Sequence, residues 1–130
     1  MLCVWLLTGS SVRAQDLFCT TTTFETTGSC SQMQLESPWT GANNLYFIHS
    51  DAVARRSGDT VFVVNRFLAD NILVLDAANG YAVIDQYSTG LNSNPNDIEV
   101  VRPGRAYVSR YEETTLWVVE PSHGTLLTTV

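Results

Sequence analysis

Positive charge is what this chain has least of. Its 130 residues carry seven Lys and Arg against thirteen Asp and Glu, a formal charge of −6, and only 15% are charged at all. Affinity for nucleic acid rests on clustered basic side chains that displace counterions from phosphates. Arg55 and Arg56 are the sole adjacent basic pair, so no nucleic-acid partner is expected. Long apolar runs are also missing. None approaches the roughly 20 residues of a membrane-spanning helix, and no transmembrane segment is expected. Histidine is confined to His49 and His123, neither with a matched Cys, Ser or Asp partner in sequence. There is no His-x-x-x-His pair, no G-x-S-x-G elbow and no Gly-rich phosphate loop. The sequence therefore assigns no catalytic residue, no metal ligand and no cofactor.

Cysteine is sparse, with three in the chain. Cys3 falls in MLCVWLLTGSSVRA, residues 1–14, which reads as the end of a secretory signal. A short apolar run at 2–7 precedes Val12-Arg13-Ala14, which places compact residues three and one before a cleavage bond at Ala14–Gln15. A positive leading segment is lacking and the apolar run is short, as a start site set too far downstream would produce; the alternative is a buried N-terminal strand. Export to a periplasmic, cell-surface or extracellular location follows. There Cys19 and Cys30 form an even pair. A disulfide across so short a loop would stabilise by about 3 kcal/mol in the chain-entropy description. The alternative is two unpaired thiols in a disordered leader; zinc fits poorly, because no His accompanies them and their spacing matches no common pattern. Residues 15–49 read as a Thr-rich leader and connector, interrupted by Pro38, Gly41, Asn43 and Asn44.

What the chain has in quantity is repetition. GDTVFVVNRFLADNILVLDAANGYAVI at 58–84 returns in altered form as RPGRAYVSRYEETTLWVVEPSHGTLLT at 102–128. Aligned without a gap at a spacing of 44, Arg66 answers to Arg110, Asp76 to Glu120 and Gly80 to Gly124, while Val64/Val108 and Val74/Val118 are identical. A fixed period in the 40s built from short strands is the signature of a propeller blade. The run at 60–65 is nearly continuously apolar, as a strand packed on both faces requires. Asp70-Asn71 and Asn79-Gly80 supply turns, and 81–87 is a more polar outer strand. The segment 88–95 crosses to a second copy. The fold class expected is all-β: a β-propeller of four-stranded antiparallel blades, the first at about 50–90 and the second at about 94–130.

Pro95-Asn96-Asp97-Ile98, Tyr107-Val108-Ser109 and Trp117-Val118-Val119-Glu120 together resemble the YVTN-type β-propeller repeat, with Phe62-Val63-Val64-Asn65 as the first-copy counterpart of its name-giving tetrapeptide. If Phe62 corresponds to Tyr107 rather than Ala106, one residue is gained or lost in the following loop. The resemblance covers residues 50–130. It implies an exported bacterial or archaeal protein with a closed ring of about seven blades, acting as a surface or binding protein. At a period of 44, such a ring needs roughly 300 residues. The chain is thus expected to be a fragment of about two blades. Its outer faces, lined by residues such as Val61, Val63, Leu73, Leu75, Tyr107, Trp117 and Val119, would then be bare and drive aggregation.

Two pairs are candidates for ligand binding. Asp97 and Glu99 share one face of an inner strand and offer oxygens to a hard cation, or simply line a solvated channel. Arg66 and Arg110 recur in the repeat, and guanidinium forks suit anionic ligands. Alternatively each arginine bridges to a neighbouring blade. The function expected is an exported, non-enzymatic propeller that binds a protein, glycan or small ligand on its loop face. The alternatives are a propeller enzyme, such as a lactonase or quinone-dependent dehydrogenase with most of its site elsewhere, and a structural component of the cell envelope.

Overall fold

The computed structural model describes residues 16–130, so the signal segment expected at 1–14 and its cleavage bond lie outside the described residues. Eleven strands make three antiparallel sheets, and the single helical element among the described residues is a 3-10 turn at Ala77–Asn79. β1 (Asp16–Thr22), β2 (Thr27–Gln34) and β3 (Gly41–His49) form a three-stranded sheet. β4 (Ala52–Ser57), β5 (Thr60–Asn65), β6 (Asn71–Asp76) and β7 (Ala82–Ser88) form a four-stranded meander. β8 (Pro95–Arg102), β9 (Arg105–Arg110), β10 (Trp117–Val119) and β11 (Leu126–Thr129) form another. The expectation of an all-β chain of antiparallel sheets holds.

The middle sheet explains the continuous apolar runs. Successive side chains on a strand point to opposite faces, and here both faces are covered. Val61, Val63, Leu73 and Leu75 pack with Cys30, Ile48 and Tyr81 against the first sheet. Phe62, Val64, Ile72 and Val74 pack with Ile98, Ala106, Val108 and Val119 against the third. Burying each such side chain is worth about 1.5–3 kcal/mol, so these two interfaces hold the three sheets together.

This corrects the expectation of a bare face. Val61, Val63, Leu73 and Leu75 are all buried, because residues 16–49 are a sheet and not a loose leader. Threonine-rich strands were hard to recognise: β1 reads DLFCTTT and β2 TGSCSQMQ. Thr is β-branched and suits a pleated surface without marking a core. β1 and β2 begin at Asp16 and Thr27, each 44 residues before the starts of β5 and β6 at Thr60 and Asn71. The period thus extends one copy further toward the N-terminus than side-chain identity reveals.

The strand register also corrects the gapless repeat. Ala106 lies opposite Val119, as Val61 lies opposite Leu75. The spacing is therefore 45 along β5 and β9, and returns to 44 along β6 and β10. Phe62 corresponds to Tyr107, and one residue is lost in the loop that follows. Arg110 then corresponds to Asn65, and Arg66 to Tyr111. The turns at the other end repeat as expected. Asp76 Oδ1 accepts the Ala78 N–H at 2.9 Å, and Glu120 accepts those of Ser122 and His123 at 3.0 and 2.9 Å. Both turns close on a left-handed glycine, Gly80 at φ 61° and Gly124 at φ 67°.

The expected Cys19–Cys30 disulfide is not formed; both are free thiols. Cys19 lies opposite Ser31 while Thr20 lies opposite Cys30, so the two thiols point to opposite faces of their sheet. Cys19 is exposed and Cys30 is buried, and burial pushes the Cys30 thiol up from its ordinary value of 9.0. Native-state alkylation followed by peptide mapping should label Cys19 quickly and spare Cys30, since the thiolate is the nucleophile. Equal labelling, or a Cys19–Cys30 linked peptide, would contradict this arrangement.

Polar ties join the sheets at their edges. Asp16 receives Arg56 Nη1 at 2.9 Å and the Tyr81 hydroxyl, and the Tyr81 ring stacks on Phe18 at 5.0 Å. Burial alone would raise the Asp16 carboxyl, but Tyr81 and Arg56 outweigh it and hold the group below its usual 3.8. Folding thus favours the carboxylate. Its contribution is present above pH 3.8 and is lost as pH falls through the lower folded value. Asp16→Asn should therefore flatten the acid limb of the stability curve, as melting temperatures across that range would show. An unchanged acid limb would mean that Asp16 is not linked to folding. Burial first, and the bond to Asp16 second, push Tyr81 up to about 12. Its stabilising contribution holds below pH 10 and fades as pH rises from there through 12.

Candidate loop-end binding site

Antiparallel meanders place alternate connections at the same end of a sheet. The β3–β4, β5–β6, β7–β8 and β9–β10 connections therefore gather at one end, and hydrogen bonds knit the last three together. Thr89 N donates to Asp70 O at 2.9 Å, Tyr111 N to Asn94 O at 2.9 Å and Glu112 N to Ser93 O at 3.4 Å. Phe67 N donates to Asn94 Oδ1 at 2.9 Å. Asp70 is the organiser. It is buried, and its two carboxylate oxygens accept Asn92 N at 2.7 Å and Asn94 N at 2.8 Å. Bonds to an ionised acceptor are about twice as strong as neutral ones, so this side chain fixes the shape of the 89–94 crossover.

Two clefts open among these loops. One, of about 330 Å³, is lined by Phe67, Leu68, Asp70, Asn92, Asn94 and Glu112. The other, of about 210 Å³, is lined by Asp51, Arg66, Phe67, Asn94, Asn96 and Tyr111. They share Phe67 and Asn94 and so lie side by side, together making the loop-end groove. Five of the six residues lining the larger cleft adopt positive φ: Phe67 at 24°, Leu68 at 66°, Asp70 at 51°, Asn92 at 57° and Asn94 at 46°. Asn and Asp tolerate the left-handed region, but for Phe and Leu it costs roughly 1–2 kcal/mol each. Such strain concentrates at functional sites. The same loops hold large apolar groups in solvent: Phe67 is 56% exposed, Leu68 70%, Leu91 90% and Tyr111 77%.

A larger cleft of about 510 Å³ lies at the opposite end, between the turns at 103–104 and 120–122. Its one carboxylate, Glu120, is spent on the backbone N–H groups of Ser122 and His123. Its only left-handed lining residue is a glycine, Gly104 at φ 72°. Size and the exposed Arg102 favour that end; strain and exposed rings favour the loop end.

The sequence candidates scatter. Arg66 lines the smaller cleft and pairs with Asp51, Nη2 to Oδ1 at 3.2 Å, tying the end of β5 to the β3–β4 connection. Arg110 is buried. Its guanidinium lies 4.3 Å over the Trp117 ring and faces Thr89 O and Thr115 Oγ1, each at 3.5 Å. Here it is a packing element. The register explains the divergence, since the counterpart of Arg110 is the buried Asn65 and not Arg66. Asp97 is engaged by Arg55, through Nε at 2.8 Å and Nη2 at 2.9 Å. Glu99 is exposed two residues along the same strand. Among the described residues no group of three or more His, Cys, Asp and Glu is placed to hold a metal ion. Sequence reasoning took Asp70 only as a turn residue and passed over Asn92 and Asn94, although clustered Asp and Asn in two loops were a visible sign of left-handed backbone. Compared with known proteins, the chain matches no family model and no curated protein.

Proposed function

We propose that the chain is part of an exported, non-enzymatic β-propeller of the YVTN kind, its four-stranded sheets being blades, and that it binds a ligand in the loop-end groove. The observation that carries this reading is the strained rim: five left-handed residues shape one cleft, including a Phe and a Leu that gain nothing by it in packing, since both are exposed. Groove volume, apolar lining and a few convergent polar groups are the ordinary make-up of a ligand site. Arg66 and Asp51 border the groove, and Asp97 and Glu99 stand outside both clefts.

Chemical-shift mapping with a library of small polar and aromatic fragments tests the assignment. Perturbations should concentrate on the amides of Phe67, Leu68, Asn92, Asn94, Tyr111 and Glu112. Hits that instead cluster on Ser57, Arg102 and Ser122 would move the site to the opposite end and overturn the reading.

A further inference from the structure

We infer that the loop-end groove takes a neutral oligosaccharide, an inference that rests on the groove being the binding site. The first ground is the pair of aromatic rings. Phe67 sits where the two clefts meet and Tyr111 lines the smaller one, and both rings are mostly in solvent. An aromatic face is the negative part of a quadrupole, and the C–H-bearing face of a pyranose presents weakly positive hydrogens that suit it.

The second ground is the set of polar groups that the fold leaves unengaged. Asn92 bonds within the fold through its backbone N–H. The Asn94 side chain spends only Oδ1, on Phe67 N. The side chains of Asn96 and Glu112 make no hydrogen bond or ion pair to any described residue. Three amides and one carboxylate therefore face the groove with donors and acceptors to spare. Paired donors and acceptors of this kind match adjacent sugar hydroxyls, each of which both donates and accepts.

The third ground is charge. The carboxylate of Asp70 is consumed by two backbone N–H groups, and Asp51 and Arg66 offset one another. Glu112 is left as the groove's one unbalanced charge among its lining residues. With a chain carrying −6, this disfavours an anionic ligand, while a ligand held mainly by charge would need more than one carboxylate to meet it. Two adjacent clefts that share Phe67 and Asn94 suit more than one sugar unit, so the ligand is an oligosaccharide and not a single sugar.

The test titrates the folded chain with maltotriose, cellotriose and chitotriose, and separately with a trilysine peptide, by calorimetry and amide shifts. At least one trisaccharide should bind in the micromolar to millimolar range typical of shallow sites, roughly 4–8 kcal/mol of binding energy. Raising the ionic strength should leave that binding unchanged, because screening acts on charges. Tyr111→Ala, a change at an exposed position, should weaken it about tenfold, whereas Tyr111→Phe keeps the ring and the affinity. No trisaccharide binding, with fragments still mapping to the groove, overturns the saccharide while leaving the site intact. Salt-sensitive binding of trilysine alone overturns it in favour of a basic peptide. Saccharide shifts at the opposite end, or unchanged affinity in a folded Tyr111→Ala protein, overturn it as well.

Discussion

Gly124→Ala is expected to destabilise the protein by roughly 2–5 kcal/mol, while Gly80→Ala at the corresponding turn costs only about 1–2 kcal/mol. Both glycines sit in the left-handed region, at φ 67° and 61°, so both substitutions incur the steric penalty of a Cβ there. They differ in what the Cβ meets. At Gly80 nothing lies within 4 Å, whereas at Gly124 it would run into the Tyr87 ring at Cδ2 and Cγ. Tyr87 cannot step aside freely, because its ring packs against the core between the second and third sheets. Its hydroxyl is buried and finds no partner among the described residues. Overpacking of this kind typically costs about 1–3 kcal/mol beyond the backbone term. Urea unfolding of both single variants measures the difference. In a Tyr87→Ala background the Gly124→Ala penalty should fall to that of Gly80→Ala, since the clash has been removed. Equal penalties for the two glycines in the native background would show that the contact with Tyr87 does not constrain the turn.

The turns illustrate what the sequence makes legible and where it stops. Asp76-to-Gly80 and Glu120-to-Gly124 carry local chemistry: an acid that accepts backbone N–H groups two or three residues on, and a glycine for positive φ. Nothing distant is needed to read them. The continuous apolar runs at β5 and β6 are equally plain, because a strand covered on both faces has no polar position to interrupt them. The first sheet was invisible for the opposite reason. Its inward positions on β1 and β2 include Thr20, Gly28 and Cys30, small or polar enough to pass for a linker, and the middle sheet covers Cys30. The arginine pair failed on a single residue. A gapless alignment equates Arg66 with Arg110, but the inter-strand pairing shifts the frame by one along β5 and β9. One side chain then lies at the rim and the other under Trp117. The candidate site was hidden for a related reason: its parts lie on loops far apart in sequence, and only the fold of the meanders brings Phe67, Asn94 and Tyr111 to one groove.

Asp70→Ala is expected to cost about 3–5 kcal/mol and to abolish binding at the groove, since two bonds to a charged acceptor are worth roughly 1.5–3 kcal/mol apiece. The substitution leaves the N–H groups of Asn92 and Asn94 without their acceptor. It also removes a residue type that tolerates the φ of 51° found at this position. Against a typical total of about 5–15 kcal/mol for a domain, such a loss is large yet leaves a population of folded molecules. Within those molecules the crossover is released from its strained shape, so the groove loses Asn92 and Asn94 as placed groups. Asp70→Asn is the informative companion. It keeps tolerance of the left-handed backbone and one acceptor oxygen, but it turns an amide N–H₂ toward a backbone donor. Its expected cost is about 1–2 kcal/mol with partial loss of binding. Hydrogen exchange reads the local effect directly: protection at the Asn92 and Asn94 amides should fall most in Asp70→Ala, less in Asp70→Asn, and little at Val63 or Val74 in the core. An Asp70→Ala protein that melts at the wild-type temperature with both loop amides still protected would show that the crossover holds its shape without Asp70. The groove would then owe its geometry to the contacts of Asn94 with Phe67 and Tyr111 alone.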